Sequence, residues 1–229
     1  MSTIKCYVCH HETEESRLLA EEVTRRFPYM LTYKLNSTKM FESEFFMNVD
    51  VDESYKYIGM LTYRVTSRPH VLMLNIGYIL TYCDTDVVSV NYNRGDTLTK
   101  TELFHPGFKN IWIQLMKKLL PDLYEKDVWN DEIPMFYNNY WFAKPKVILE
   151  YREFLKKAVD ALEDIPEVYQ DSGYGETGNT PKEALERITG KPYYTFHPFV
   201  LERLPCIFMR YKRYSCLHVS TIVHVQSTS

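Results

Sequence analysis

Short apolar segments alternate with longer amphipathic segments along this chain, and no other feature of the sequence constrains the fold as strongly. Runs rich in β-branched and aromatic residues predict strands, which cover residues 4–9, 57–63, 86–90 and 135–143. Apolar residues at the helical period from Phe108 to Leu120, where Pro121 ends the run, predict a helix. Strands that alternate with helices over 229 residues predict an α/β fold, with helices on both faces of a sheet.

The remaining segments predict further helices and one loop. Thr180 to Gly190 begins and ends with the residue types of a helix start and a helix end. A last helix from Phe199 to Arg210 is interrupted near Pro205, and the Gly-, Asp- and Ser-rich residues 171–178 predict a surface loop. The other predicted helices are Glu15 to Phe27, Lys39 to Met47 with Ser37 as its cap, Val71 to Leu80, and Lys144 to Glu163.

Charge and composition exclude several classes of protein. The formal net charge is −3, so the chain lacks the basic excess of a protein that coats nucleic acid. Its longest apolar run, Val71 to Leu80, is too short to cross a bilayer. The N-terminus shows no basic segment followed by an apolar one, as a signal peptide would. We therefore expect a cytoplasmic protein with no nucleic-acid partner and no membrane span.

The chain has five cysteines, without the regular spacing of a disulfide scaffold. Cys6 and Cys9 form a C-x-x-C pair, but they lie in the first predicted strand. Residues three apart on a strand face opposite sides of the sheet, so the pair is a poor chelate and a poor redox couple. We expect both cysteines to be buried packing residues.

Three polar clusters follow or fall within predicted strands. They are Cys9-His10-His11-Glu12-Thr13, Tyr63-Arg64 with Arg68 nearby, and Asn138-Asn139-Tyr140-Trp141. Each cluster by itself is more often a turn or a solvated strand end. Ligands of α/β folds bind at the carboxyl ends of the strands, however, so three such clusters predict a shared cleft.

Asp84-Thr85-Asp86 is the sharpest short motif in the chain. Two carboxylates two residues apart can share a hard divalent cation, which prefers oxygen ligands. Such a cation could bridge the phosphates of a nucleotide and neutralise charge on a departing diphosphate. The pattern is weak, because Asp50-Val51-Asp52 matches it equally well. The alternative is a turn that caps the entry to the strand at Val87.

The segment from His197 to Leu204 is the other dense group of functional side chains. His197 precedes a predicted helix start, where the backbone amides favour anions. Glu202 could act as a general base. It could equally pair with Arg203 or Arg210 on a helix surface. The chain contains no G-x-S-x-G, H-E-x-x-H, P-loop or G-x-G-x-x-G motif, which disfavours hydrolases, zinc proteases, NTPases and dinucleotide enzymes.

Several of these segments occur in an order that resembles a glycosyltransferase family. Residues 57–64, Tyr-Ile-Gly-Met-Leu-Thr-Tyr-Arg, resemble the "YIGL-HYR" segment of the DUF4422 type of capsular-polysaccharide glycosyltransferases. Asp86-Val87-Val88, residues 139–144 and residues 199–204 resemble the "D-φ-φ", "N-x-x-F-I-x-K" and "F-x-x-E-R-L" segments that follow. The compact size also resembles a glycosyltransferase domain encoded by chlorella viruses. Thr62 departs from the pattern, which usually has His there.

The resemblance implies a single GT-A-like domain over residues 1–214, with a mixed, mostly parallel sheet flanked by helices, and leaves residues 215–229 as a tail of unknown structure. It implies a viral glycosyltransferase, located in the host cytoplasm, that uses a nucleotide sugar with Mn²⁺ or Mg²⁺. The donor is expected to be UDP-linked, as in the chlorella virus domain. The metal would be held by Asp84 and Asp86. The donor would be bound by side chains of the polar clusters and their neighbours, namely Cys9, His10, His11, Thr13, Tyr63, Arg64, Asp84, Asn139, Trp141 and His197.

On this hypothesis Glu202 deprotonates a hydroxyl of a glycan or glycoprotein acceptor, and direct displacement inverts the sugar configuration. Retention of configuration stays open. The alternative from another class is a non-catalytic sugar- or nucleotide-binding module of a larger glycan-processing protein, in which tyrosines and tryptophans form stacking platforms. A metal-dependent phosphotransferase or nuclease is the third hypothesis, and the lack of basic excess disfavours the nuclease.

Overall fold

The fold is a mixed six-stranded sheet with helices on both faces, which confirms the predicted α/β class and the single domain. It is known from a computed structural model. That structure describes residues 3–37, 39–68, 71, 75–90, 92–93, 97–130, 135–136, 139–174, 186 and 192–219.

The sheet has the strand order β2-β1-β3-β7-β4-β8, and a separate two-stranded sheet pairs β5 with β6. Along the chain the strands are β1 Thr3–His10, β2 Met30–Lys34, β3 Tyr55–Thr62, β4 Val87–Ser89, β5 Tyr92–Asn93, β6 Met135–Phe136, β7 Trp141–Ala143 and β8 Cys216–His218. Strand β7 is antiparallel to both of its neighbours, whereas the other pairs in the large sheet are parallel. The other five strands therefore end at one edge, called here the carboxyl edge, and start at the opposite, amino edge.

Two apolar cores lie on the two faces of the sheet. The larger core packs seven of the described helices against one face, and the smaller core packs the other two, together with Val65, against the opposite face. The helices are α1 Glu14–Arg26, α2 Ser43–Asn48, α3 Ile76–Tyr82, α4 Thr97–Phe104, α5 Phe108–Leu119, α6 Glu125–Val128, α7 Pro145–Glu163, α8 His197–Leu201 and α9 Leu204–Lys212. Two 3₁₀ segments, Tyr63–Ser67 and Pro166–Tyr169, complete the described elements.

The long amphipathic segments and the apolar strands were predicted correctly from the sequence. Helices α1, α5 and α7 agree with their predictions to within one residue at each end, because their buried residues recur at the helical period. Strands β1, β3 and β4 are also confirmed. Cys6 and Cys9 are fully buried in the two different cores, as expected for residues three apart on a strand.

Gly59 lies in the middle of β3, where the fold leaves no room for a side chain. Strand β7 crosses so close to this position that a Cβ atom would lie 2.3 Å from the carbonyl oxygen of Trp141. No larger residue fits without moving β7, because such a contact is with backbone rather than with a flexible side chain. The glycine therefore permits the pairing of β3 with β7 that sets the strand order.

The predicted helix from Lys39 begins later than expected. The Ser37 hydroxyl does accept hydrogen bonds from the backbone N–H groups of Lys39 and Met40, at 3.2 and 2.9 Å. A turn follows, however, and Phe41 adopts a positive φ of 45°, so α2 starts only at Ser43. A bulky residue in this conformation is unusual, and it interrupts the helical period.

The predicted strand over residues 135–143 is two short strands, β6 and β7. Asn139 lies between them with φ of 55°, a conformation that asparagine adopts more readily than most residues. This break turns the chain from the small sheet into the large one. Strand β2 was not predicted, because only Met30 of its five residues is buried and its sequence lacks a buried apolar pattern.

The C-terminal segments are only partly described. The last predicted helix is two helices, α8 and α9, with Pro205 in the first turn of the second. Residues 216–218 of the predicted tail form β8, the sixth strand of the sheet. Of the helix predicted from Thr180 to Gly190, only Glu186 is described, and residues 72–74, 175–178 and 220–229 of other predicted segments lie outside the described residues. Within the described residues, no helix has both the length and the apolar character needed to cross a bilayer.

Candidate functional site

The carboxyl edge of the sheet brings together the ends of β1 and β3 and the start of β7. His10 ends β1, Thr62 ends β3, and Asn139 precedes β7, which enters the sheet at this edge because it runs antiparallel. The polar clusters that the sequence predicted to share a cleft therefore do lie at one edge. Asn138 itself lies outside the described residues.

Arg64 and Arg68 follow β3 directly and supply positive charge to this edge. Arg64 is exposed, and its Nε donates a hydrogen bond of 3.3 Å to the hydroxyl of Tyr63. The Arg68 guanidinium lies over the ring of Tyr140, 5.4 Å from its centroid. The Tyr140 hydroxyl is hydrogen-bonded to Thr62 at 2.7 Å, which fixes the ring. Planar guanidinium groups held in this way suit bidentate binding of phosphate.

His11 lies against the aromatic rings that flank the arginines. Its ring contacts Phe41 and Tyr63 edge-on, with centroids 5.3 and 5.9 Å apart. Burial and the nearby positive charge of Arg64 lower the pKa of His11 to about 4. A neutral imidazole at pH 7 can accept a hydrogen bond as well as donate one, which an imidazolium cannot do.

A row of aromatic rings continues from His11 across the edge to α8. Phe41 contacts Tyr194, whose ring contacts Phe199, with centroids 5.4 and 6.0 Å apart. Phe199 also stacks on His105, with centroids 3.9 Å apart. The row runs from Tyr63 through His11, Phe41, Tyr194 and Phe199 to His105, with Tyr174 packed beside it. Phe41, Tyr194 and His105 are buried in this row and pack as a small core beside the edge, whereas Tyr63, His11 and Phe199 are half-buried.

Glu42 and Glu202 bring negative charge to the same place. Burial raises the pKa of the Glu42 carboxyl, the charge of Glu202 raises it further, and Arg64 and Arg68 lower it less. Glu202 lies between α8 and α9, where it accepts a hydrogen bond of 2.9 Å from Arg203. Glu202 therefore pairs with Arg203, as one alternative from the sequence had it. The Glu42 carboxyl lies within electrostatic range of Glu202, Arg64 and Arg68. Glu42 was missed by the sequence analysis, because it belongs to no motif and reaches the edge only through the turn at Phe41.

Four of the predicted donor-binding residues have structural roles instead. Cys9 is fully buried, with its thiol 3.5 Å from the sulfur of Met60, so it lines no cleft. Thr13 caps α1, because its hydroxyl accepts a hydrogen bond from the N–H of Ser16 at 3.3 Å. Trp141 is fully buried and stacks on Phe46, with centroids 3.9 Å apart. The prediction that Trp141 borders a sugar pocket is therefore wrong, and the same burial applies to its hydrogen-bonded neighbour Asn139.

The two remaining predicted histidines are also buried. His10 has its Nδ1 2.8 Å from the carbonyl oxygen of His11, which holds the end of β1. His197 lies in the first turn of α8, where its Nδ1 is 3.0 Å from the hydroxyl of Thr195 and its ring contacts Tyr169. With only 2% of its surface exposed, His197 does not offer its ring to a ligand in solution.

Asp84 and Asp86 lie at the opposite, amino edge of the sheet. They precede β4, which runs parallel to β3, whereas the arginines follow β3. Val87, which directly follows Asp86, is level with Ala143 and Ile58 in the sheet. Thr62, at the end of β3, lies four residues beyond Ile58, which is roughly 13 Å along the strand. The predicted pairing of these aspartates with the donor-binding residues is therefore wrong, and its cause is the position of the motif before the strand rather than after it.

The surroundings of Asp86 do not fit a divalent cation. One carboxylate oxygen, Oδ2, accepts hydrogen bonds from the backbone N–H and the hydroxyl of Ser215, at 3.0 and 2.8 Å. The other oxygen accepts one from the Lys144 ammonium at 3.2 Å, and this ammonium also lies 3.8 Å from Asp84. Among the residues that the structure describes, no three His, Cys, Asp or Glu side chains are grouped to hold a metal. A cation shared by Asp84 and Asp86 would have to displace Lys144.

The chain gives no significant match to protein-family models, to curated proteins or to solved structures.

Proposed function

We propose that the protein is a glycosyltransferase that moves a sugar from a nucleotide sugar to a hydroxyl acceptor at the carboxyl edge. One observation carries this proposal: Arg64 and Arg68 follow β3 at that edge, and the Glu42 carboxyl lies within electrostatic range of both arginines and of Glu202. Ligands of α/β folds bind at this end of the strands. A sugar transferase needs both charges there, a cationic group for the departing diphosphate and a carboxylate to activate the acceptor.

The fold supports the same proposal. A mixed, mostly parallel sheet with helices on both faces is the arrangement that the GT-A resemblance implied. The segment that carried most of that resemblance, residues 57–64, forms β3 and the arginine-bearing turn after it. The ring of Tyr63 and the neutral imidazole of His11 lie next to Arg64, where the nucleoside would be placed.

In the proposed reaction the acceptor oxygen attacks the anomeric carbon of the donor sugar. The bond from this carbon to the phosphate oxygen breaks, and its electron pair leaves with the nucleoside diphosphate. Glu202 takes the proton of the acceptor hydroxyl, and Arg64 balances the charge that develops on the diphosphate. Direct displacement in one step inverts the configuration of the sugar.

The test is a screen of UDP, GDP, CDP and ADP sugars for release of nucleoside diphosphate, with and without simple sugar acceptors. We expect slow release from one donor class, faster release with an acceptor, and loss of release in Glu202→Gln. Glu153→Gln, on the exposed side of α7, is the matched control and should match the unmodified protein. Binding of a nucleotide sugar without any release would support the non-catalytic module instead, and absence of both would overturn the proposal.

A further inference from the structure

Arg64 and Arg68 lie at the carboxyl edge, where the resemblance places donor-binding residues that include Arg64. Arg64 lies in the 3₁₀ segment that follows β3, and Arg68 is the residue directly after that segment. The aspartates expected to hold a divalent cation lie at the other edge, with Lys144 between them. On the proposed function, we infer that the two guanidinium groups bind the donor's diphosphate directly and do the work of the metal.

The two arginine side chains are held by different contacts, and both can bind the same anion. Arg68 is half-buried and lies over the fixed ring of Tyr140, so its guanidinium is held before a ligand arrives. Arg64 is exposed, and its Nε donates a hydrogen bond to the hydroxyl of Tyr63, so this contact uses one of its three nitrogens. A diphosphate carries enough oxygens to engage one fork with each phosphoryl group.

Glu42 supplies negative charge near both arginines. Its half-buried carboxyl lies within electrostatic range of both guanidinium groups. A bound diphosphate would bring negative charge to the same groups and would compete with Glu42 for them. The carboxyl therefore acts as a counter-ion of the two arginines, and its negative charge opposes a bound diphosphate.

The two arginines can also neutralise the charge of the leaving diphosphate without a cofactor. When the bond from sugar to phosphate breaks, the diphosphate gains one negative charge, which two fixed guanidinium groups stabilise in place. Arginine keeps its charge at all working pH values, so this stabilisation does not depend on a titrating group. Transfer should then proceed in the presence of a chelator.

The experiment is a titration of the full chain with UDP, GDP, CDP and ADP, in EDTA and again in excess Mn²⁺, by calorimetry and by thermal shift. We expect one diphosphate to bind with a Kd that differs less than about threefold between the two conditions. Binding that appears only with Mn²⁺ overturns this inference and leaves the proposed function standing. Absence of binding to every diphosphate in both conditions overturns both.

Two variants test the residues themselves. Arg64→Gln and Arg68→Gln should each weaken binding of that diphosphate in EDTA by roughly 10- to 100-fold, the usual effect of losing a charged hydrogen bond. Arg25→Gln, which removes the same charge from the exposed end of α1, is the control for net charge and should change the Kd less than about twofold. Far-UV circular dichroism and thermal melting verify that each variant folds. Folded arginine variants that bind like Arg25→Gln would overturn the inference.

Asp84→Asn separates the metal hypothesis from this one at small structural risk, because the Asp84 side chain is 94% exposed. We expect its diphosphate affinity to equal that of the unmodified protein in EDTA and in Mn²⁺. A selective loss of affinity in Mn²⁺ would place a metal at the D-x-D motif and would contradict the inference.

Discussion

Asp86 at the amino edge and Glu42 at the carboxyl edge are both half-buried carboxylates, but their surroundings differ in kind. Hydrogen bonds from Ser215 and Lys144 outweigh burial at Asp86 and hold the pKa of its carboxyl below the usual range. Burial dominates at Glu42 and raises its pKa. A carboxylate whose oxygens are already paired stabilises the fold, whereas one that shares its surroundings with another carboxylate and two arginines is available for ligand chemistry.

The largest expected effect is on catalysis at the carboxyl edge. Glu202→Gln keeps the size of the side chain but cannot accept the acceptor proton, so transfer should fall by roughly 10²- to 10⁴-fold. The Kd of the donor should stay within about threefold of its original value, because this residue acts on the acceptor. Rates of diphosphate release and a binding titration measure the two effects, and full transfer by the variant would remove Glu202 from the mechanism.

The next effect is on stability at the amino edge. Asp86→Ala removes the acceptor for Ser215 and Lys144, which should lower the free energy of unfolding by roughly 1–3 kcal/mol. In a domain of this size that corresponds to a fall in Tm of about 2–4 °C for each kcal/mol. Asp84→Ala, on the exposed neighbour, should stay within about 0.5 kcal/mol. Equal losses in both variants would show that the contacts to Ser215 and Lys144 contribute nothing to stability.

A smaller effect should appear in ligand affinity. Glu42→Gln removes the negative charge that opposes a bound diphosphate, so UDP or its matching analogue should bind about threefold to tenfold more tightly, near 1 kcal/mol. Weaker binding in a folded Glu42→Gln variant would mean that Glu42 holds the arginines in position rather than competing for them. Glu53→Gln, on the surface, is the matched control for the loss of one negative charge. Glu44→Gln is unsuitable as a control, because the Glu44 carboxylate accepts hydrogen bonds from the backbone N–H groups of Asn36 and Ser37.

The smallest effect is the pH dependence of stability, and it has opposite signs at the two edges. The pKa of Asp86 is lowered by folding, so its contribution is present above the usual Asp value of about 3.9 and is lost as pH falls further. The pKa of Glu42 is raised, so its charge destabilises the fold increasingly as pH rises from about 4.3. Charged and titratable groups face Glu42 from every neighbouring element, namely Arg64, Arg68, Glu202, Cys9, Tyr140 and Tyr194.

Urea unfolding between pH 3 and pH 7 tests these signs. The cost of Asp86→Asn should be largest at pH 7 and should shrink toward pH 3. Glu42→Gln should be more stable than the unmodified protein at pH 7, by less than about 1 kcal/mol, and should lose this advantage near pH 4. Parallel pH profiles for the two variants would contradict the contrast between the edges.

Helices and strands could be predicted from the sequence where their buried residues recur at a regular period. Prediction failed where burial follows no period. Helices α5 and α7 have buried residues at regular helical spacing, so the sequence alone defines them. Strand β8 has three residues, none of them fully buried, and its existence depends on pairing with β4. No local pattern indicates such a partner.

The candidate site was predictable only in part, for a related reason. Arg64 follows a strand, so its place at the carboxyl edge follows from strand direction alone. Asp86 precedes a strand, and the same argument, applied consistently, would have placed it at the other edge. Glu42 depends on the positive φ of Phe41, a conformation that the residue type does not predict. Trp141 was expected to bind the donor on the resemblance alone, and in this chain it fills the core, as large aromatic residues often do.

Strand β8 has a consequence for solubility. It pairs with β4, whose three residues are completely buried and whose far side would otherwise be the unprotected margin of the large sheet. Exposed strand margins recruit strands from other molecules. Strand β8 is the last strand of that sheet in its place, and a margin of three residues offers another molecule little to pair with. The contact of Asp86 with Ser215 holds the chain where β8 begins, so an aspartate that resembles a metal ligand instead fixes the strand that ends the sheet.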